Sequence, residues 1–426
     1  METTTLAAPL TLPCGATLPN RLAKAAMSEQ LADRANRPTP ALDALYERWG
    51  AGGCGLVVTG NVMVDRRHVG EPRNVVVEDE RDLPALRRWA AAGRRRGAAV
   101  WVQLNHPGRQ ALRIAGSRPV APSPVAARIP GAVTPRELTG AEIEQIVARF
   151  ARTAAIVQAA GFDGVQLHGA HGYLISQFLS PRANRRDDEW GGDAERRRRF
   201  VLEVVRATRA AVGRSFPIGI KLNSADFQRG GFDERESAAV VAALAEAGVD
   251  LVEVSGGTYE APVMMGAATG GHVAARSGAA EVSTHARHAR ASTRAREAYF
   301  LDYAERVRRA VPQLPLMVTG GFRTAAAMAA ALADGGCDVI GVGRPLALHP
   351  DAGAGLLDGS LARVDAGGRR IGVRTLDSAI DLFWHTRQMQ RIGRGREPWP
   401  REHALHTLGA LLLVNGWGAL RRKRGG

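Results

Sequence analysis

Cysteine, lysine and long apolar runs are all scarce in this chain of 426 residues, and each scarcity removes a class of explanation. The three cysteines, Cys14, Cys54 and Cys337, stand far apart and form no CxxC pair. Zinc ribbons and iron–sulfur clusters need thiolates gathered at short spacing, so neither is signalled and no metal is expected. Isolated cysteines without a disulfide framework read as buried thiols in a reducing cytosol. Met1 to Leu12 lacks a basic start followed by an apolar run, and the apolar stretch Ala410 to Val414 is too short to cross a bilayer. The expectation is a soluble, cytoplasmic protein with no membrane partner.

Lysine is scarcer still in proportion. Of 57 basic residues only Lys24, Lys221 and Lys423 are lysine, and the net charge is +15. A charge of that size ordinarily points to nucleic acid, through counterion release. Here the arginines are spread among alanine and glycine, and aromatics make up only 5% of the chain. The densest runs, Arg94 to Arg96 and Arg196 to Arg199, fall in amphipathic helical patterns with no interleaved rings on which bases would stack. They read as solvated helix faces, and no nucleic-acid partner is expected.

What is plentiful is a repeated unit. Short runs of Val, Ile and Leu, closed by Gly, Asn, Ser or His, alternate with longer helical patterns, which is the signature of βα repeats. Eight strands are expected: 21–27, 55–60, 99–104, 164–168, 218–222, 251–255, 316–319 and 339–342. Thr139 with Glu142, and Asp233 with Glu236, predict capping boxes, and Thr324 predicts a helix start. Near-continuous apolar strands suit a sheet covered on both faces. An open doubly wound sheet would want a GxGxxG turn after its first strand, and Met27-Ser28-Glu29 offers none. The fold class expected is therefore α/β, a (β/α)8 TIM barrel. Leu10 to Leu18 reads as a hairpin turning near Cys14-Gly15 that plugs the barrel's N-terminal end. Two helical stretches, 375–393 and 403–420, form a C-terminal tail, so the expected division is a barrel over 1–360 and a packed helical tail over 361–426.

In such a barrel the strand C-termini converge on one mouth, so they supply the candidate site residues. Gly320-Gly321 and Gly343-Arg344 follow strands seven and eight, where barrels commonly bind phosphate through backbone N–H groups. Strand four ends in His168-Gly-Ala-His171-Gly-Tyr173. A metal site there lacks a third ligand, and HxxH spacing recurs in the polar segment around His285 and His288. A hydrogen-bonded structural cluster is a second reading. A third makes the two imidazoles donors to a substrate carbonyl and Tyr173 a proton source, and it uses all three residues together. Gln103 suits either the pyrimidine edge of a flavin or loop backbone. Lys221 suits either an anionic cofactor or an ion pair with Asp226.

Four stretches carry a family resemblance: Asn20 to Met27 (NRLAKAAM), Gln103 to Arg109 (QLNHPGR), Gly161 to Leu174 (GFDGVQLHGAHGYL) running on to Pro181, and Gly341 to Pro345 (GVGRP). The chain resembles the old yellow enzyme family of NAD(P)H:flavin oxidoreductases from about Leu10 to about Pro350. The resemblance implies FMN across the mouth, with Ala25, Ala26, Met27, Ser28, Gly60, Gln103 and Lys221 around the isoalloxazine ring. Gly320, Gly321, Gly343 and Arg344 would hold its phosphate. It further implies NADH or NADPH as reductant and an α,β-unsaturated carbonyl substrate bound by His168, His171, Tyr173 and Gln30, with Tyr173 as proton donor. Lys221 stands where the family commonly has arginine, and Ser28 where a Cys or Thr often tunes the flavin. Three rivals stay open: a flavoenzyme acting on nitro, quinone or oxygen acceptors or oxidising its substrate, a lyase using Lys221 as a Schiff base, and a nucleic-acid-binding barrel. Homo-oligomerisation is left open.

Overall fold

In a computed structural model, which describes residues 6–111, 118–129, 131–256 and 301–422, the eight expected strands are all present and pair in parallel. They are β1 (Leu22–Lys24), β2 (Leu56–Met63), β3 (Ala99–Asn105), β4 (Gly164–Gly169), β5 (Ile218–Asn223), β6 (Leu251–Ser255), β7 (Leu316–Thr319) and β8 (Val339–Val342). Each bonds to its neighbour in sequence, and β8 bonds to β1 through Ile340–Leu22, Gly341–Ala23 and Val342–Lys24, which closes the barrel. Between the strands run α1 (Pro40–Ala51), α2 (Leu83–Gly93), α3 (Gly140–Ala159), α4 (Leu174–Leu179), α5 (Ala194–Val212), α6 (Glu234–Glu246), α7 (Leu301–Ala310) and α8 (Ala325–Ala333). After β8 come α9 (Pro345–Leu348), α10 (Ala352–Asp358), α11 (Arg374–Ile392) and α12 (Ala404–Arg422). None of the described helices is long and apolar enough to cross a membrane.

Two strand boundaries depart from the apolar pattern, and both departures serve the mouth. β1 stops pairing as a strand at Lys24, after which Ala25 still donates its N–H to the Val342 carbonyl and the chain turns along the cavity. β2 runs past Gly60 to Met63, with its register to β3 shifting between Val58 and Asn61. Such an irregularity lets one strand re-aim a side chain.

The helix starts follow local chemistry. Thr139 and Glu142 close the expected capping box at α3. Asp233 caps α6 by accepting from the Glu236 N–H, but Glu236 turns to Arg197 instead of closing a box, because Arg197 is buried and needs an anion. That burial also corrects the reading of Arg196 to Arg199 as a wholly solvated face. Its neighbours fit the reading: Arg196 pairs with Asp193, and Arg199 pairs with Glu189 and lies over the Trp190 ring.

The hairpin forms as expected, Leu10–Thr11 against Thr17–Leu18, with Gly15 at φ +88° in the turn. Leu12 and Leu18 cluster with Leu56, Val58, Trp101, Leu251, Met317 and Val339, so the hairpin seals one end of the barrel. Trp101 fills that interior only because β4 and β5 carry glycine opposite it. A Cβ on Gly164 would lie 2.5 Å from Trp101 Nε1, and one on Gly219 2.7 Å from the indole ring. We predict that Gly164→Ala lowers stability by ~1–3 kcal/mol, the range for overpacking a full core. Gly409→Ala, on α12 with open space around it, is the control and leaves stability unchanged or slightly raised. Urea midpoints of the two variants check both.

Candidate active site

The turn after β4 is fixed from three sides. Gln110 Nε2 donates to the His171 carbonyl, Asn223 Oδ1 accepts the His171 N–H, and Gln177 Nε2 donates to the carbonyls of Gly172 and Pro107. His171 sits at φ +59°, a left-handed conformation that a non-glycine residue holds only when its surroundings impose it. The stretches 103–109 and 161–177 are thus one physical unit, joined through Gln177.

This scaffold brings His168, His171 and Tyr173 together at the cavity wall. The ring centroids of His168 lie 5.1 Å from His171 and 4.7 Å from Tyr173, both edge-on. Burial first, and then the charge of Lys221, push both imidazoles well below the ordinary histidine range, so both are neutral. His168 Nδ1 accepts the Ala170 N–H at 3.3 Å, which places the ring proton on Nε2 and leaves an N–H donor for a ligand. His171 Nε2 meets Ser255 Oγ at 2.8 Å, a contact in which the hydroxyl can donate or accept and which orients the ring.

Around the same cavity lie Ala25, Ala26, Met27 and Ser28 from the end of β1, Gln103 from β3 and Lys221 from β5. Gly320, Gly321, Gly343 and Arg344 line it as well. Gly60 and Gln30 do not line it. The Gly60 N–H is taken by Glu29 Oε1 and Tyr46 Oη, and a Cβ there would lie 2.1 Å from Glu29, so Gly60 belongs to the layer behind the wall. Gln30 lies beside the tail, its carbonyl 3.4 Å from Gln390 Nε2.

Lys221 does not pair with Asp226. Its Nζ donates to Glu253 Oε1 at 2.7 Å, and both side chains are buried. An ammonium held against a carboxylate has no free lone pair, which argues against a Schiff-base lyase. Asp226 instead accepts from Asn223 and Phe232, and burial raises its carboxyl above the usual range.

The residues present fit FMN. Asn61 Oδ1 and Thr319 Oγ1 are buried on the cavity wall with no hydrogen-bond partner among the described residues, as polar groups are when a ligand completes them. Gly320 and Gly321 adopt φ of +131° and +87°, and no atom comes within 3.9 Å of where a Gly343 Cβ would stand. That leaves bare backbone at the expected phosphate end. A second cluster, Asp65, His68 and His106, has its ligand atoms within 4.8 Å of one another. Its hydrogen bonds oppose a cation. His106 Nδ1 accepts the Gly108 N–H, which puts a proton on Nε2, and both Asp65 oxygens are taken by Arg67, with Arg149 3.3 Å away.

The sequence reading missed one wall altogether. Asp381, Leu382, His385, Thr386 and Met389 of α11 close the cavity. Their spacing is a single helical stripe, visible in the sequence, but nothing there says what it faces. Thr386 Oγ1 donates to the Ser28 carbonyl, and Asp381 Oδ2 takes the Arg344 guanidinium at 3.0 Å. The segment 257–300, with His285 and His288, lies outside the described residues.

Comparison with known proteins agrees with this geometry. The NADH:flavin oxidoreductase / NADH oxidase family matches residues 5–354. The chain is 40% identical over 364 residues to an NADH-dependent flavin oxidoreductase, iliE, of Hypocrea jecorina (strain QM6a), covering 80% of this chain and 86% of that protein. Among solved structures, the old yellow enzyme homologue of Zymomonas mobilis superposes with a TM-score of 0.67 at 22% identity, covering 85% of this chain and 94% of that one. A 2-naphthoyl-CoA reductase in complex with 2-naphthoyl-CoA gives 0.77 at 23% identity, covering 92% of this chain, which spans only 58% of the longer reductase.

Asp381 competes with any phosphate for Arg344. We predict that Asp381→Asn tightens FMN binding, whereas Arg344→Ala weakens it on the order of tenfold or more, the scale of a charge-assisted hydrogen bond. Quenching of FMN fluorescence on titration with apoprotein measures both.

Proposed function

The chain belongs to the NADH:flavin oxidoreductase / NADH oxidase family, and from that membership we propose that it reduces the C=C bond of α,β-unsaturated carbonyl compounds. The observation that carries this reading is the clustering of His168, His171 and Tyr173 at one strand end, with the His168 proton locked on Nε2. Bound FMN, reduced by NADH or NADPH, supplies a hydride from its N5.

The chain's own residues do the rest. Ala25 to Ser28, Gln103 and Lys221 would hold the ring, and Gly320, Gly321, Gly343 and Arg344 would hold the phosphate. The His168 Nε2–H donates to the substrate carbonyl, and His171, its ring set by Ser255, donates beside it. A neutral imidazole polarises the oxygen without giving up its proton, so the positive charge in the site stays on Lys221. Tyr173 gives its phenolic proton to the α-carbon, on the face opposite the hydride, which makes the addition trans. Burial of His168 and Tyr173 keeps water from competing for that proton.

Two outcomes follow. Tyr173→Phe slows reoxidation of the reduced enzyme by an enone, by about the hundredfold typical of general-acid loss, and leaves reduction by NADH unchanged. Anaerobic stopped-flow, following flavin absorbance in each half-reaction, tests this. If Tyr173→Phe and His168→Ala together left enone turnover intact while quinone or nitro acceptors dominated, the ene-reductase assignment would be wrong. Because both histidines are held neutral, the pH profile of enone reoxidation shows no inflection at the ordinary histidine value of 6.5. An inflection there would mean that the rings titrate and do other work.

A further inference from the structure

Beneath the cavity, four buried polar side chains form a continuous chain across the barrel. Gln103 Nε2 donates to Gln166 Oε1, Gln166 Nε2 donates to Glu253 Oε2, and Lys221 Nζ donates to Glu253 Oε1, each at 2.7 Å. A (β/α)8 interior is normally filled with Val, Ile and Leu, so four polar groups in one line need a reason. Gln103 and Lys221 line the cavity, whereas Gln166 and Glu253 do not.

The direction of every bond in the chain is set by Glu253. An ionised carboxylate only accepts. Gln166 must therefore turn its NH2 toward Glu253, which turns its carbonyl toward Gln103, which in turn commits the Gln103 NH2 to Gln166. The Gln103 carbonyl is then the end left as an acceptor, while Lys221 remains a donor. An acceptor beside a donor matches the edge of a pyrimidinedione ring, where an N–H adjoins a carbonyl. The same carboxylate lies in contact with the Lys221 ammonium and offsets part of its charge.

We propose that Glu253 is a positioning residue for the flavin: through Gln166 it fixes which end of the Gln103 amide meets the ring, and through Lys221 it limits the positive field that the ring experiences. This rests on the FMN reading above. It accounts for lysine in place of the family's usual arginine at 221, since an ammonium seated on Glu253 meets one carboxylate oxygen and leaves the other to Gln166. A guanidinium would claim both oxygens bidentately and break the relay.

The test is the midpoint potential of the FMN-loaded enzyme, read by anaerobic titration against a reference dye at pH 6. Glu253→Gln keeps the shape and removes the negative charge, so the potential moves in the positive direction. Lys221→Met moves it in the negative direction. Glu253→Asp, which keeps the charge but draws it back from Lys221, gives a smaller positive shift and serves if the glutamine variant does not fold. Gln166→Met cuts the relay without changing charge, so it weakens FMN binding about tenfold and leaves the potential near wild type. The role assigned to Glu253 is overturned if Glu253→Gln and Glu253→Asp leave the potential unmoved or shift it in the same direction as Lys221→Met. It is equally overturned if Gln166→Met binds FMN as tightly as wild type. Wild-type protein that takes up no FMN overturns the flavin reading itself, a different result from a loaded enzyme whose potential ignores Glu253.

Discussion

An ammonium inside a barrel is tolerable only against a carboxylate, and the contact of Lys221 with Glu253 at 2.7 Å is the one on which the site rests. Removing one partner from a buried pair leaves a charge whose desolvation costs several kcal/mol. With both present, β5 and β6 carry a fixed dipole just below the mouth. Its effects reach β4. The charge of Lys221, added to burial, keeps His168 and His171 neutral. One ion pair thus divides the labour of the site, with charge on β5 and uncharged donors on β4.

The second constraint is closure of the cavity from outside the barrel. α11 reaches the end of β1 through Thr386 and Gln390 and the phosphate end through Asp381. These residues lie beyond the matched span 5–354, so part of the cavity wall comes from outside it.

Much of this architecture was legible in the sequence for a physical reason. Parallel strands covered on both faces must be apolar throughout, so eight short Val/Ile/Leu runs marked eight strands, and their C-terminal residues gave His168, Gln103, Lys221 and Arg344 directly. The hairpin was legible because its turn chemistry is local. Lateral partners were not. The ion-pair partner weighed for Lys221 as the alternative to a cofactor was Asp226, five residues on, but parallel pairing sets it beside Glu253 on the next strand, a neighbour that only register reveals. Gly60 ends an apolar run and the family resemblance set it at the ring, yet β2 continues to Met63 and the Gly60 N–H serves Glu29. The α11 wall was missed because a helix stripe records its period and not its target.

The scarcity of lysine now has a structural side. Where this chain needs a basic residue at its surface it uses arginine, yet two of its three lysines, Lys24 and Lys221, are buried in the barrel. A guanidinium carries five donors on a rigid plane, and the space between packed strands has too few acceptors to satisfy them. An ammonium needs fewer and is compact. Lys24 gives one proton to the Val58 carbonyl at 2.8 Å, faces Glu29 at 3.9 Å and rests 4.1 Å from the centre of the Trp49 ring. Even so, burial lowers it to about 8, a sign of how little the interior does to solvate a cation. Lys221 has what Lys24 lacks, a carboxylate in direct contact. That difference separates a lysine enclosed among strands from one that stands at the cavity wall.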